Sequence, residues 1–322
     1  AIPVAQANVL DALTTGAITA TISDNGISTL LGLTGTGNAY TTATSDTTAA
    51  ASDLNTLIGK TTVAVDMATV GTVTGSLTDL NTLYVTNAAG VTNEGNEALT
   101  VSDTAINATL LTAVNAATTG LITLSSSVAS ISGPGSEIEA LYDAEATNQL
   151  TGLDGDLPVT ITGDAATATV IDADHLVAVN GDTTGLVTID SSATSISGTY
   201  ANVEACLTQN KTRADANDAT GVATPTISGL DNLAVTLTDA TISIAELEDI
   251  QNNYTTGIIT ATVVAQTKAQ LLDETGTVTG TDVNDIVSGN NLAFNVSDAT
   301  FTTAELVELN SMTTGTIDFT NG

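Results

Sequence analysis

The sequence predicts a repeat protein: an elongated β-rich α/β solenoid of stacked strand–short-helix units, with mainly parallel sheets. Three observations predict it. A strand, a short helix, a Thr-Thr-Gly turn and a second strand recur along the chain. The strands alternate branched apolar with small polar residues, the two-residue period of a half-buried strand. Aromatic residues make up only 2% of the chain, so its buried material must be small and aliphatic. Thin, regularly layered cores suit that composition better than one deep interior.

The unit is clearest as LTVSDTAINATLLTAVNAATTGLITLS from Leu99. It returns as VTLTDATISIAELEDIQNNYTTGIITAT from Val235 and as FNVSDATFTTAELVELNSMTTGTIDFT from Phe294. Looser copies start at Val159 and at Thr41, and the segment from Val4 is the same unit without its first strand. The turn glycines are Gly16, Gly120, Gly185, Gly257 and Gly315, with Val63 in register between the first two. Successive spacings of 47, 57, 65, 72 and 58 residues give a period of roughly 60. A second unit lies between these copies: TVTGSLTDLNTLY from Thr72, SISGPGSEIEALY from Ser130, SISGTYANVEACL from Ser195 and TVTGTDVNDIV from Thr277. The chain therefore divides as one continuous array over 1–322: a partial period at 1–40, full periods at 41–98, 99–158, 159–234 and 235–293, and a partial one at 294–322.

Each element has a physical reason. The Asp after the first strand is expected to cap the helix that follows, accepting from its free N–H groups. Ile106, Leu110, Leu111 and Val114 are expected on one helical face. The Thr-Thr-Gly glycine is expected to close the helix or turn the chain into the next strand. Such helices are too short to persist alone and must be held by packing on neighbouring units. A string of small β-sandwiches, one per period, is the rival architecture, and the regular half-unit helices count against it. The chain opens and closes inside units. That predicts either a segment of a longer array or ends that pair head to tail between subunits.

Charge narrows the partners. Four Lys and Arg stand against 36 Asp and Glu, a formal net charge of −32. Nucleic-acid binding needs bases to neutralise phosphates, and only Lys60, Lys211, Arg213 and Lys268 are present. Anionic membrane surfaces are disfavoured for the same reason, and no apolar run is long enough to span a bilayer. Calcium is the natural counter-charge for scattered carboxylates; the plainer reading is that the charge keeps a Thr- and Ala-rich surface soluble. A lone cysteine, Cys206, allows no internal disulfide.

The segments SDTAINATLLTAVNAATTGLIT, TVTGSLTDLNTLY and GNEALTVSD together resemble the repeats of very large Asp- and Thr-rich extracellular proteins of marine bacteria and cyanobacteria. The resemblance covers nearly the whole chain. It implies an extracellular, surface or adhesin-like role associated with calcium. The glycine-rich calcium nonapeptide of RTX proteins is absent, so that ion site does not carry across.

The candidate metal ligands are the acids of the recurring Ser/Thr-Asp pair: Asp46, Asp103, Asp239 and Asp298, with Asp164 displaced by one residue. They read either as a row of calcium ligands completed by loop acids such as Glu94, Glu97, Asp154, Asp156 and Asp231, or as helix caps. Capping is the stronger reading, because calcium needs six or more oxygens and no compact ligand motif is present. The second-unit acids Asp79, Glu139, Glu204 and Asp282 are placed to close capping boxes. His175 and Cys206 are each present once, in different half-units and without a surrounding motif, so no catalytic residue is assigned. Cys206 falls where sister units carry Leu83 and Leu141 and reads as a small buried hydrophobe.

The expected function is structural rather than enzymatic: a subunit or segment of an extracellular filament, sheath or surface layer, with copies of itself as partner. The alternative is a spacer or stalk in a calcium-associated adhesin, with cell-surface glycans as further partners. A polysaccharide-cleaving solenoid would need aromatic sugar platforms, and Tyr and Phe total eight with no Trp.

Overall fold

The computed structural model describes residues 1–163, 169–210, 226–253, 257–272, 289–298 and 300–319. It is an α/β fold in which strands and short helices alternate and the strands pair in parallel. The chain divides into two compact units, Ala1–Gly133 with Glu137–Leu157, and Pro134–Ser136 with Pro158–Gly322. Eleven α-helices are described, besides a π-helical turn at Thr82–Thr86 and a 3-10 turn at Ala88–Gly90: α1 (Val4–Leu13), α2 (Ile27–Leu30), α3 (Ala51–Ile58), α4 (Leu77–Asn81), α5 (Ala108–Ala117), α6 (Gly135–Ala146), α7 (Ala173–Asp182), α8 (Tyr200–Thr208), α9 (Ile244–Asn253), α10 (Lys268–Leu271) and α11 (Thr303–Met312). None is long and apolar enough to cross a membrane.

In the first unit, Thr48–Ala50, Thr72–Gly75, Ala98–Val101, Ile122–Leu124 and Leu150–Thr151 form a five-stranded sheet in chain order. Thr48 pairs with Thr72 and Thr72 with Ala98, while Leu99 pairs with Ile122 and Ile122 with Leu150. Smaller parallel pairs join Thr19–Thr21 to Ala39–Thr41, Val65–Asp66 to Val91–Thr92, and Ala105–Asn107 to Ser130–Pro134. In the second unit, Val159–Thr162, Val187–Ile189 and Ile227–Ser228 pair side by side. A longer sheet there runs Val170–Asp172, Ser195–Gly198, Ala234–Leu237, Ile259–Thr262, Asn291–Asn295, Ile317–Asp318. Alternation sets the faces: Leu99 and Val101 are buried while Thr100 is exposed.

One strand more than expected appears in the Ser/Thr-Asp unit. Ala105–Asn107 lies between Asp103 and α5, just as Thr48–Ala50 lies between Asp46 and α3. Ile106 is therefore a buried strand residue and not part of the helical face. That face is Ala108, Leu111 and Val114, fully buried, with Leu110 only partly covered. The same stripe recurs as Ala51, Leu54 and Leu57 in α3 and as Ala173, Leu176 and Val179 in α7. The sequence periodicity was satisfied equally by a helix begun at Ile106. Asn107 decides the start, because its Oδ1 accepts from the Leu110 N–H at 3.1 Å.

Two sets of glycines record how closely neighbouring modules approach. A Cβ on Gly120 would lie 1.9 Å from the carbonyl oxygen of Glu97; on Gly257 it would lie 2.1 Å from that of Leu233, and on Gly315 2.2 Å from that of Leu292. Gly120, Gly257 and Gly315 are thus demanded by the strand beside them, which corrects the helix-closing half of their expected role; Gly16 has room for a Cβ, and Val63 stands at the same place in its own turn. The helices end one step earlier, on the extended C-caps Thr14, Thr118, Thr183 and Thr313. The second set, Gly75, Gly133 and Gly198, packs on the first residue of a helix: an added Cβ would meet the Cβ of Ala51 at 3.2 Å, of Ala108 at 2.7 Å and of Ala173 at 2.7 Å. Gly120→Ala and Gly315→Ala should each lower the unfolding free energy by about 1–3 kcal/mol through overpacking. Gly16→Ala, where the nearest atom is the Thr14 hydroxyl at 3.5 Å, should be nearly silent in the same urea titration.

Candidate functional site

The recurring acids occupy equivalent places. The Leu77 N–H, first in α4, donates to Asp103 Oδ2 at 2.7 Å. Ile27 at the start of α2 donates to Asp46 Oδ2 at 2.7 Å, and Tyr200 at the start of α8 to Asp239 Oδ2 at 2.6 Å. Lys268 at the start of α10 donates through its backbone to Asp298 Oδ2. Asp24, which motif reading passed over, does the same for Val4 of α1 at 2.6 Å. Asp164 lies outside the described residues.

These aspartates do cap helices, but not the ones expected. Each serves a helix 19 to 39 residues earlier in the chain, not the helix that follows it. The physical reason is the extra strand. It carries the following helix away from the Asp, while parallel stacking sets the Asp beside the helix start of the module before. A carboxylate there meets both a free N–H and the positive end of the helix dipole.

Of the helices that follow these aspartates, α5 is capped by Asn107, α9 by Ser243 and α11 by Thr302, while α3 has no side-chain cap. Ser76 accepts from the Asp79 N–H at 3.1 Å and donates through its hydroxyl to Asp79 Oδ2 at 2.8 Å, a side-chain pair at the start of α4 in place of the capping box expected of that acid. Ser243 with Glu246 and Thr302 with Glu305 do close capping boxes, each acid accepting from the capping residue's backbone N–H. Glu204 instead accepts from the Thr208 hydroxyl at 3.1 Å, and Asp282 lies outside the described residues. Glu305 also receives Lys268 Nζ at 3.2 Å, and the backbone N–H of Thr302 with that ammonium holds its carboxyl below the usual range.

A second ladder runs through the turns. Thr118, Thr183 and Thr313 each accept, through the hydroxyl, from the N–H of the glycine two residues on, at 2.9–3.0 Å. Thr61 also donates to the Tyr40 carbonyl at 2.7 Å, as Thr313 does to that of Leu292 at 2.8 Å. Just before those strands, buried Asn38 and Asn290 accept through Oδ1 from the Ile18 and Ile259 N–H groups, both at 2.8 Å.

Glu97 stands at the equivalent place before Ala98–Val101 and is the one fully buried acid among the described residues. Its Oε2 accepts from the Gly95 N–H at 2.8 Å and the Tyr84 hydroxyl at 3.2 Å, while Oε1 has no partner. Burial, and then the adjacent Glu97 carboxylate, push the Tyr84 hydroxyl well above its ordinary range. Sequence reasoning placed Glu97 among the loop acids that could complete a calcium site. The available signal was its register with Asn38 and Asn290, one residue ahead of an alternating strand.

Among the described residues, no group of three or more His, Cys, Asp or Glu side chains converges on a common point. Asp46, Asp103, Asp239 and Asp298 sit one to a helix end and are not gathered. Cys206 packs in α8 with Sγ 3.6 Å from the Ala173 carbonyl, where Leu83 and Leu141 stand in sister helices. Burial, aided by Asp174 and Asp172, pushes its thiol from an ordinary 9.0 to about 12, the opposite of an activated nucleophile. His175 lies on α7, partly exposed. No family model matches the chain, and neither a curated protein nor a solved structure shows similarity to it.

Two outcomes follow. Asp103→Ala and Asp239→Ala should each cost about 0.5–2 kcal/mol, the range of a lost helix cap, with Asn at the same position recovering part of it; chemical denaturation reads the difference. The folded thiol of Cys206 ionises later than the unfolded one, so its contribution to stability is intact below about pH 9 and is lost as pH rises towards 12. Cys206→Ala should flatten that part of the stability–pH curve.

Proposed function

We propose that the chain is a structural protein whose modules continue one on another as an elongated solenoid, and that it serves in an extracellular filament, sheath or surface layer. The observation that carries this reading is the repeated cross-module bond: Asp46, Asp103, Asp239 and Asp298 each fasten the helix of an earlier module in the same way. A protein built so spends its polar groups on joining modules. Its most regular acids are consumed as caps, and its lone thiol is buried and held protonated.

Surface chemistry supports the same role. With four Lys and Arg in 322 residues, the chain offers almost no trypsin sites, which suits an exposed fibre. The charge of −32 keeps Thr-rich faces hydrated and makes lateral contact between copies sensitive to salt and to divalent cations.

Electron microscopy of the purified chain tests the proposal. Regular polymers are the expected result; isolated rods at every concentration would move the assignment to a spacer or stalk, and compact particles would end it. Thermal melting with and without a calcium chelator should leave the midpoint unchanged if carboxylate caps carry the modules. A fall of several degrees would instead make calcium part of the fold.

A further inference from the structure

An asparagine followed by glycine is open to attack by the backbone on its own side chain, because glycine brings no Cβ to crowd the attacking nitrogen. The chain contains three such pairs: Asn25–Gly26, Asn180–Gly181 and Asn321–Gly322, the last outside the described residues. The first two stand in opposite surroundings.

Asn25 is exposed, in the irregular segment just before α2. Among the described residues neither its side chain nor the Gly26 N–H has a hydrogen-bond partner. Asn180 lies inside α7, where the next nitrogen is committed to the helix ladder and turned away from the side-chain carbonyl. That ladder still runs at Thr183, whose N–H reaches the Val179 carbonyl at 3.2 Å. Asn180 Oδ1 is also enclosed, away from solvent.

We infer that Asn25 is a site of spontaneous deamidation in the folded protein, and that Asn180 is protected by its helix. The Gly26 nitrogen gives its proton to water or hydroxide and bonds to Asn25 Cγ. The bond from Cγ to the amide nitrogen breaks, and ammonia leaves. Water then opens the cyclic imide. Opening at Cγ gives aspartate; opening at the backbone carbonyl gives isoaspartate, whose main chain runs through the side-chain carbons.

The position gives the modification a structural effect. The Asn25 carbonyl accepts from the Ser45 N–H at 2.8 Å and from the Ser45 hydroxyl at 3.3 Å. Two residues on, the Ile27 N–H donates to Asp46 Oδ2 at 2.7 Å. Isoaspartate takes the carbonyl that Ser45 uses out of the main chain and lengthens the path to Ile27. It therefore strikes both bonds that fasten the start of α2 to the next module.

Timed incubation of the full chain at neutral and mildly alkaline pH tests this, read by peptide mass spectrometry and by an isoaspartate-specific methyltransferase. Asn25 should turn from amide to acid at a rate that rises with pH. Asn180 in the same sample should convert at least about tenfold more slowly, because α7 must open first. In urea that unfolds the chain, the two rates should converge. Gly26→Ala should slow Asn25 by about tenfold or more. That variant keeps its fold, verified by circular dichroism, since φ at Gly26 is −82° and an added Cβ would lie 3.9 Å from Thr29 Oγ1. The purified isoaspartate form should unfold at lower urea than Asn25→Asp made directly. Asn25 intact in the folded chain while converting in urea would overturn the site, as would Asn180 matching its rate without denaturant. Equal urea midpoints for the isoaspartate form and Asn25→Asp would overturn the effect on the module junction.

Discussion

Parallel strands lie about 4.8 Å apart, and this spacing governs how each module is composed. Nothing bulky fits between one strand and the next, so the residues that face a neighbouring module are small or share hydrogen bonds with it. Gly120, Gly257 and Gly315 lie so close to the carbonyls of Glu97, Leu233 and Leu292 that no Cβ can enter. Gly75, Gly133 and Gly198 sit on the Cβ atoms of Ala51, Ala108 and Ala173 for the same reason. The poverty in aromatics belongs to this constraint, because a Trp or Phe at these junctions would push successive strands out of register.

Close stacking also decides where polar groups find partners. Helices as short as α10 and α5 leave a large share of their backbone groups, the first N–H and the last C=O groups, without a partner inside the helix. Here those ends are served from the adjoining module: Asp103 reaches the start of α4, and the turn beyond α11 returns Thr313 to Leu292. Local capping by Ser76, Asn107 and Thr302 handles other donors. Helix stability and module adhesion are consequently one property, carried by the same bonds.

Glu97 is the exception that tests this economy. Where Asn38 and Asn290 present an amide oxygen to the neighbouring strand, a carboxylate is enclosed with one oxygen lacking a partner. Its neighbours answer with the Tyr84 hydroxyl and the Gly95 N–H, so that module is held by a different and less completely satisfied set of bonds. Burying such a group without full compensation costs stability.

By itself the sequence determined the repeating unit, the alternating strands, the small aliphatic core and the recurring acids at helix starts, because all of these are local patterns of period two or three to four. Cys206 as a stand-in for leucine was legible on the same basis, from its register with Leu83 and Leu141. The tertiary structure alone decided which helix each aspartate serves, that Ile106 belongs to a strand, and why the turns at Gly120, Gly257 and Gly315 need glycine. Each of those depends on a partner some twenty to forty residues away, and a local pattern holds no record of which neighbour parallel stacking brings alongside.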